Sequence, residues 1–211
     1  LEETDKDRTV PWVTYESRLV IGVHFLTKPS NTENVLVPSN YKIYSAQDSM
    51  YGAPTSPISV SYRSRVIFGA LRASANYLQQ VRFGHHAFLR LPSSLHDGAT
   101  YTVNVSASPF GTATSFTLRV NETTQLNTNI RVSQVGYLLS GPKIAFVGAW
   151  LGSATASTPI VHVALDLPDG NATQFTVEDA VNRSVAFQGV AQFVTPTSNS
   201  ENPGGLNNTD L

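Results

Sequence analysis

Cysteine is absent from all 211 residues. That excludes disulfide staples, thiolate metal sites and a cysteine nucleophile. It leaves secretion open, because two full-sized domains can hold together by core burial alone. Charge is scarce as well: Asp, Glu, Lys and Arg make up 14% of the chain, against roughly 25% in an average soluble protein. The formal net charge is −1, with no long run of either sign. Nucleic-acid binders carry a basic stripe. The nearest thing here, Arg63, Arg65 and Arg72, is interleaved with strand-like apolar positions, so no nucleic-acid partner is expected. No segment approaches the ~18 consecutive apolar residues of a membrane-spanning helix. A Gly-x-Ser-x-Gly nucleophile elbow is missing too.

The chain does have an apolar fraction of 41%, enough for packed cores. Ser, Thr, Asn, Gly and Pro fill the place of the missing charges. Hydroxyl and amide groups keep a surface wet, and Gly and Pro build turns, so the composition predicts an extracellular β-protein. The chain begins at Leu1, which suggests a mature product trimmed of its signal peptide.

Five N-x-[ST] sequons, at Asn104, Asn121, Asn171, Asn182 and Asn207, are candidate glycosylation sites and support a secreted protein. Chance alone would give about three in so polar a chain. Placement strengthens the reading at Asn104. Tyr101, Val103 and Val105 share one strand face, which turns Asn104 to the solvent side.

Alternation marks the strands. Leu19, Ile21, Val23 and Phe25 alternate through Glu16 to Leu26, and Ile58, Val60 and Tyr62 open another strand. Val35 to Ser45 reads as extended but interrupted at Pro38-Ser-Asn. Leu71, Ala75 and Leu78 have helix-like spacing, which predicts a short helix or irregular crossover from Ala70 to Gln80. Strands follow at His86 to Leu91, Thr100 to Ala107 and Ser115 to Val120, with a hairpin-type turn at His96-Asp97-Gly98. Further strands are expected at Ile130 to Val135, Lys143 to Gly148 and Pro159 to Leu167, then at Gln174 to Val177, Arg183 to Phe187 and Val190 to Val194. Leu167-Pro-Asp-Gly-Asn171 has the chemistry of a turn.

These signals predict an all-β chain of two tandem immunoglobulin-like β-sandwiches. The organisation is an arm over residues 1–12, a first sandwich over 13–122, a polar linker over 123–129 and a second domain over 130–211.

The second domain carries a resemblance. Ile130-Arg-Val-Ser-Gln-Val-Gly-Tyr-Leu138, followed by Ser140-Gly-Pro-Lys-Ile-Ala-Phe-Val147, is similar to the opening of the immunoglobulin-like domain that precedes the catalytic (α/α)6 barrel in glycoside hydrolase family 9. The match extends over about residues 129–211. Gln134, Val135, Gly136, Tyr137, Pro142 and Lys143 stand where that family has them, while Ser133 replaces the usual Asn. The turn at Asp169-Gly170 also fits that layout. Chemically, Gly136 permits a bend and Tyr137 can pack its ring while its hydroxyl finds a partner. The stretch Phe83 to Val103 resembles a strand–turn–strand of other extracellular sandwich modules.

The resemblance implies a non-catalytic accessory region of a secreted β-glucanase, supporting a catalytic domain outside this sequence. The family's Asp-Ala-Gly-Asp motif is absent, and inverting glycosidases need two opposed carboxyl groups. No catalytic residue, cofactor or metal ligand is assigned. His85-His86 near Asp97 could suggest an acid–base pair or metal site. Neighbours on a strand face opposite ways, so the pair reads as one half-buried and one surface histidine. Asp166 and Asp169 lack the carboxylate density of a calcium loop. Trp12, Trp150 and the eight tyrosines could form a sugar-stacking platform for a β-glucan, but scattered aromatics in a sandwich read as core.

The family's two closing strands are not found after Thr195 to Asn208, so the second sheet is expected to expose an unpaired edge. It would be completed by a longer polypeptide or by a strand from a neighbouring chain. The alternative function is therefore a structural or adhesive secreted glycoprotein, or a filament subunit, completed by partner strands.

Overall fold

The computed structural model describes residues 10–29, 31–70, 80–125, 127, 129–133, 135–138, 140–141, 143–147, 151–152 and 172–192. The chain divides into one unit over Leu1–Leu165 and another over Asp166–Leu211.

In the first unit, β1 (Trp12–Ser17), β2 (Val20–Phe25), β4 (Ser59–Ala70) and β5 (Gln80–Arg90) form a four-stranded sheet in the order β1-β2-β5-β4. Strands β3 (Tyr41–Tyr44), β6 (Thr100–Val105) and β7 (Thr114–Arg119) form a second sheet in the order β3-β6-β7. All pairings are antiparallel. Ile21, Val23, Phe25, Val60, Ala87 and Leu89 of one sheet meet Tyr41, Ile43, Tyr101, Val103, Val105 and Leu118 of the other in one buried core. Lettered A to G in chain order, the sheets read A-B-E-D and C-F-G, the strand order of a constant-type immunoglobulin sandwich. The all-β expectation therefore holds, and for this unit so does the immunoglobulin-like one.

Local chemistry explains the ends of the sandwich. Two single-turn helices, α1 (Thr32–Val35) and α2 (Ala107–Phe110), lie in its loops. Asn31 caps α1 by accepting from Glu33 N at 2.8 Å. Phe110 of α2 stacks on Phe25 at 3.6 Å between centroids and closes one end of the core.

Opposite, Tyr101 sits at the start of β6. Its hydroxyl accepts from His96 N at 2.8 Å and donates to the buried Asp48 Oδ2 at 2.6 Å. This is the tyrosine corner of the immunoglobulin fold. Val103, two residues later, fills the place where antibody domains put a cysteine. Burial and the Asp48 hydrogen bond together hold the Tyr101 phenol protonated far above the usual tyrosine range. Tyr101→Phe keeps the ring but strands the Asp48 oxygen. It is expected to cost about 2 kcal/mol in urea unfolding; a loss below about 0.5 kcal/mol would show that the hydroxyl is idle.

Three expectations change on the structure. First, Ala70 and Gln80 are strand residues paired across β4 and β5 rather than ends of a helix, and residues 71–79 lie outside the described set. Second, Val35 to Ser45 is extended only from Tyr41, because Asn31 nucleates α1 and Pro38 opens a 3₁₀ turn. Third, β1 begins at Trp12, inside the segment read as an arm.

Later in the first unit, β8 (Ile130–Val132) pairs with β9 (Ala145–Val147) as a two-stranded ribbon. In the second unit, β10 (Ala172–Glu178) pairs with β11 (Val185–Gln192). The two strands expected at 183–187 and 190–194 are thus one: Gly189, opposite Phe175, continues the ladder rather than breaking it. Pro159 to Leu167 and the turn at Leu167 to Asn171, with Asp166 and Asp169, lie outside the described residues.

Candidate functional site

The outer face of the four-stranded sheet would be wet if the sandwich stood alone, yet β2 is buried at all six positions. Outward-facing residues line up across the strands by register. Trp12, His24, His86 and Arg63 make one row, and Thr14, Gly22, Phe88 and Ser61 the next. Trp12 stacks on His24 at 4.9 Å, His24 meets His86 edge-on at 4.9 Å, and the Arg63 guanidinium lies 5.2 Å over the Phe88 ring.

Hydrogen bonds run through this face in a chain. The buried Glu16 carboxylate accepts from Thr14 Oγ1 at 2.5 Å and from Asn129 Nδ2 at 2.7 Å. Thr14 Oγ1 is 2.6 Å from His24 Nε2, and His24 Nδ1 is 2.6 Å from His86 Nδ1. One proton per bond fixes the tautomers. Because Thr14 gives its proton to Glu16, His24 donates from Nε2–H, and its bare Nδ1 accepts from His86 Nδ1–H. The assignment follows from the network rather than from observed hydrogens. It leaves His86 Nε2 as a buried acceptor with no hydrogen-bond partner among the described residues. Burial first, then the charges of Arg65 and Arg63, push the His86 pKa down to about 3. The ring is neutral across the physiological range.

Gly22 makes this convergence possible. A Cβ there would come within 3.0 Å of Thr14 Oγ1, Glu16 Oε1 and His24 Nε2.

The lid on this face is later chain of the same unit. Asn127 Nδ2 and Asn129 Nδ2 both donate to Glu16 O, at 2.9 and 3.2 Å. Leu151, 0% exposed, packs between Val20 and Phe88, and Ser61 Oγ donates to its carbonyl at 2.5 Å. Gly152 has φ +82°, and any Cβ on it would strike the Tyr62 carbonyl and Arg63 N; only glycine lets the backbone approach so closely.

His85 and His86 face opposite ways, but both are buried, which corrects the expectation of one half-buried and one surface ring. His85 turns to the inner face and meets the Tyr62 hydroxyl at 2.6 Å; burial lowers its pKa, with Lys28 adding. Asp97 is far from this pairing in role: it accepts from Glu122 N. Among the described residues no group of three His, Cys, Asp or Glu side chains could hold a metal. Of the aromatics read as core, four are buried among the described residues, while Tyr44 and Tyr137 are exposed. Trp12, Tyr41, Tyr51 and Tyr101 are buried, and Trp150 lies outside the described residues.

The remaining sequence-predicted positions are scattered. Asn104 is exposed on β6, between Lys42 and Ser115. Asn121 is half-buried, its Oδ1 accepting from Thr123 Oγ1 and Thr124 N. Asn182 is exposed in the β10–β11 turn. Asn171 and Asn207 lie outside the described residues, as do Gln134 and Pro142. Val135 is exposed, and Gly136 bends the chain at φ +89°. The Tyr137 hydroxyl accepts from Ser133 N and donates to Ile144 O, while Lys143 Nζ donates to Gly141 O.

Sequence reasoning missed Thr14, Glu16, His24 and Asn129. The available signal was the alternation of polar Thr14, Glu16 and His24 with apolar Val13, Tyr15 and Val23.

No protein-family model matches the chain, and no curated protein matches it. Among solved structures, it is similar to surface layer protein SbsC, domains 1-6, at 19% identity and TM-score 0.33, covering 59% of this chain and 15% of that one. It is also similar to the N-terminal part of the bacterial S-layer protein SbsC, at 16% identity and TM-score 0.35, covering 84% and 37%. This chain thus spans well under half the length of those structures, a likeness too distant to carry fold or function across.

Proposed function

We infer that the chain is a non-catalytic structural or adhesive module of a secreted or cell-surface protein, in which the first sandwich is a seat for the polypeptide that follows it. The observation that carries this reading is the closed outer sheet face. Its Glu16, Thr14, His24 and His86 have the residue types of acid–base chemistry, but a catalytic cluster must admit a substrate. Here Asn129 and Leu151 occupy the approach. What the cluster does is hold. Buried Leu151 contributes about 2 kcal/mol, and the Asn129 and Ser61 hydrogen bonds fix the register of the joint. Exposed sequons at Asn104 and Asn182 support an extracellular setting. The narrower role, propping a family 9 catalytic domain, rests on the sequence resemblance of Val132 to Val147, with the turn at Asp169-Gly170 as support.

Leu151→Asp tests the seat, since a carboxylate cannot be buried against Val20 and Phe88 without a partner. Proteolysis within residues 133–152 is expected to quicken by roughly tenfold or more, while the near-UV signal of the Tyr51–Tyr101 core persists. Unchanged cleavage, or release of reducing ends from a soluble β-glucan by the purified chain, would overturn the reading.

A further inference from the structure

The buried cluster of the seat brings a hydroxyl and a carboxamide onto one carboxylate. Thr14 Oγ1 donates to Glu16 Oε1 at 2.5 Å, and Asn129 Nδ2 donates to Glu16 Oε2 at 2.7 Å. The ladder between β1 and β2 slips between Tyr15 and Ser17, which leaves Glu16 as an extra residue with no partner on β2. Such a bulge re-aims a side chain, and here it turns the carboxylate onto the face that Thr14 occupies. His24 Nε2 stands 2.6 Å from the same hydroxyl oxygen, and His86 Nδ1 holds the far side of the His24 ring at 2.6 Å.

A hydroxyl bonded to a base that a third group holds in place is the arrangement of an activated nucleophile. Glu16, His24, His86 and Asn129 are each 7% exposed or less, so no external substrate meets it. The electrophile at hand belongs to the chain itself. It is the Asn129 carboxamide, bonded to the carboxylate that also bonds the hydroxyl.

We propose that Thr14 and Asn129 join in an intramolecular ester, with Glu16 as the acid–base group that makes it. The Asn129 side chain swings across the Glu16 carboxylate and gives up its 3.2 Å bond to Glu16 O. A lone pair of Thr14 Oγ1 forms the new bond to Asn129 Cγ while Glu16 takes the hydroxyl proton. Glu16 then passes that proton to Nδ2, the Cγ–Nδ2 bond breaks with its electron pair on nitrogen, and ammonia leaves. The carboxylate is restored, and no oxidant or second substrate is consumed. Because one carboxylate holds both partners, the step is unimolecular. Ammonia is lost to bulk water as ammonium, and the closed seat keeps water from hydrolysing the ester.

Thr14 lies on the first strand of the sandwich and Asn129 follows the last, so the ester closes a covalent ring around all seven strands. A pull between the residues ahead of Thr14 and those after Asn129 then runs through the ester instead of peeling β1 from β2. This deepens the structural reading above and rests on it, since an open seat would expose the ester to water.

Mass spectrometry of the intact, unglycosylated full chain tests the proposal. The folded protein is expected to be lighter than its sequence by one ammonia. After unfolding and trypsin, the peptide Thr9–Arg18 should run joined to Val120–Arg131, and mild alkaline hydroxylamine should part them. Thr14→Val should restore the full sequence mass, while Thr14→Ser keeps a hydroxyl and should still link. Glu16→Gln is expected to slow linking by at least about a hundredfold, followed by intact mass after refolding, with circular dichroism confirming that the variant folds.

A folded wild-type chain that keeps its full sequence mass overturns the proposal. So does ammonia loss that persists in Thr14→Val, which would mean a cyclic imide formed by an asparagine on its own backbone. Linking of Glu16→Gln at the wild-type rate overturns it as well. None of these results touches the seat, which is judged separately by the proteolysis of Leu151→Asp.

Discussion

Replacing Gly22 by alanine is expected to lower the unfolding free energy by about 3 kcal/mol, far out of proportion to one methyl group. On an ordinary strand the same change would stabilise by about 0.5–1 kcal/mol, because alanine loses less backbone entropy on folding. The sign reverses here because the space above Gly22 is taken. Thr14 Oγ1, Glu16 Oε1 and His24 Nε2 would all lie within 3.0 Å of the new Cβ. None can retreat freely. Glu16 is held from the other side by Asn129, and His24 is clamped between Trp12 and His86. Relief comes by breaking the Glu16–Thr14–His24 chain, which leaves a buried carboxylate short of donors. Urea unfolding of the two proteins reads the difference directly. A stabilised Gly22→Ala variant would mean that the cluster is not assembled as described.

Much of the sandwich was legible from alternation. Strands β6 and β7 fall where period-two patterns place them, and Asn104 faces solvent because Tyr101, Val103 and Val105 face the core. The single strand read from Glu16 to Leu26 is instead the end of β1, a turn at Arg18-Leu19 and β2. The seat was not legible, for a physical reason. Alternation reasoning assumes a dry face and a wet face, and on that assumption a polar residue opposite the core reads as surface. Glu16, His24 and His86 sit on the face called wet. What buries them comes from far along the chain: Asn129 is 113 residues from Glu16 and Leu151 is 90 from Ser61. No local window contains that information. The hint was the wrong composition for solvent, with tryptophan and two histidines on one register row and phenylalanine on the next instead of lysine and glutamate. At the β10–β11 turn the failure was different. Asp179 Oδ1 gathers Val181 N and Asn182 N, so the turn is made by an aspartate inside what reads as a polar strand margin, not by Gly or Pro.

Acid should loosen this protein well before its carboxylates titrate. An unfolded histidine takes up its proton near 6.5, whereas native His86 resists until about 3. The folded state favours the neutral ring, so its full contribution is present above pH 6.5 and is lost as pH falls below that value. The slope is half of ~1.4 kcal/mol per pH unit at pH 6.5 and approaches the full value below it, which makes the loss about 2 kcal/mol between pH 6.5 and 4.5. His85, also lowered by burial, acts in the same direction. Glu122, held low by the Arg18 fork, loses its contribution only at more acidic pH, beneath the ordinary carboxylate range. The interval from 6.5 to 4.5 therefore isolates the histidines. Around His86 stand His24 from β2, Arg63 and Arg65 from β4, and Trp12 from β1. The two arginines keep their charge throughout, so a proton on His86 enters a site that is already cationic and dry. His86→Phe removes the titrating nitrogen while keeping a ring against Phe88 and His24. It gives up the donor to His24 Nδ1, at about 1.5 kcal/mol near pH 7.5, and it removes the His86 share of the slope. Urea midpoints at half-unit intervals should show the wild type more stable at neutral pH and the two curves crossing near pH ~5.5. Parallel curves would place the proton elsewhere, and with it the acid-labile point of the seat.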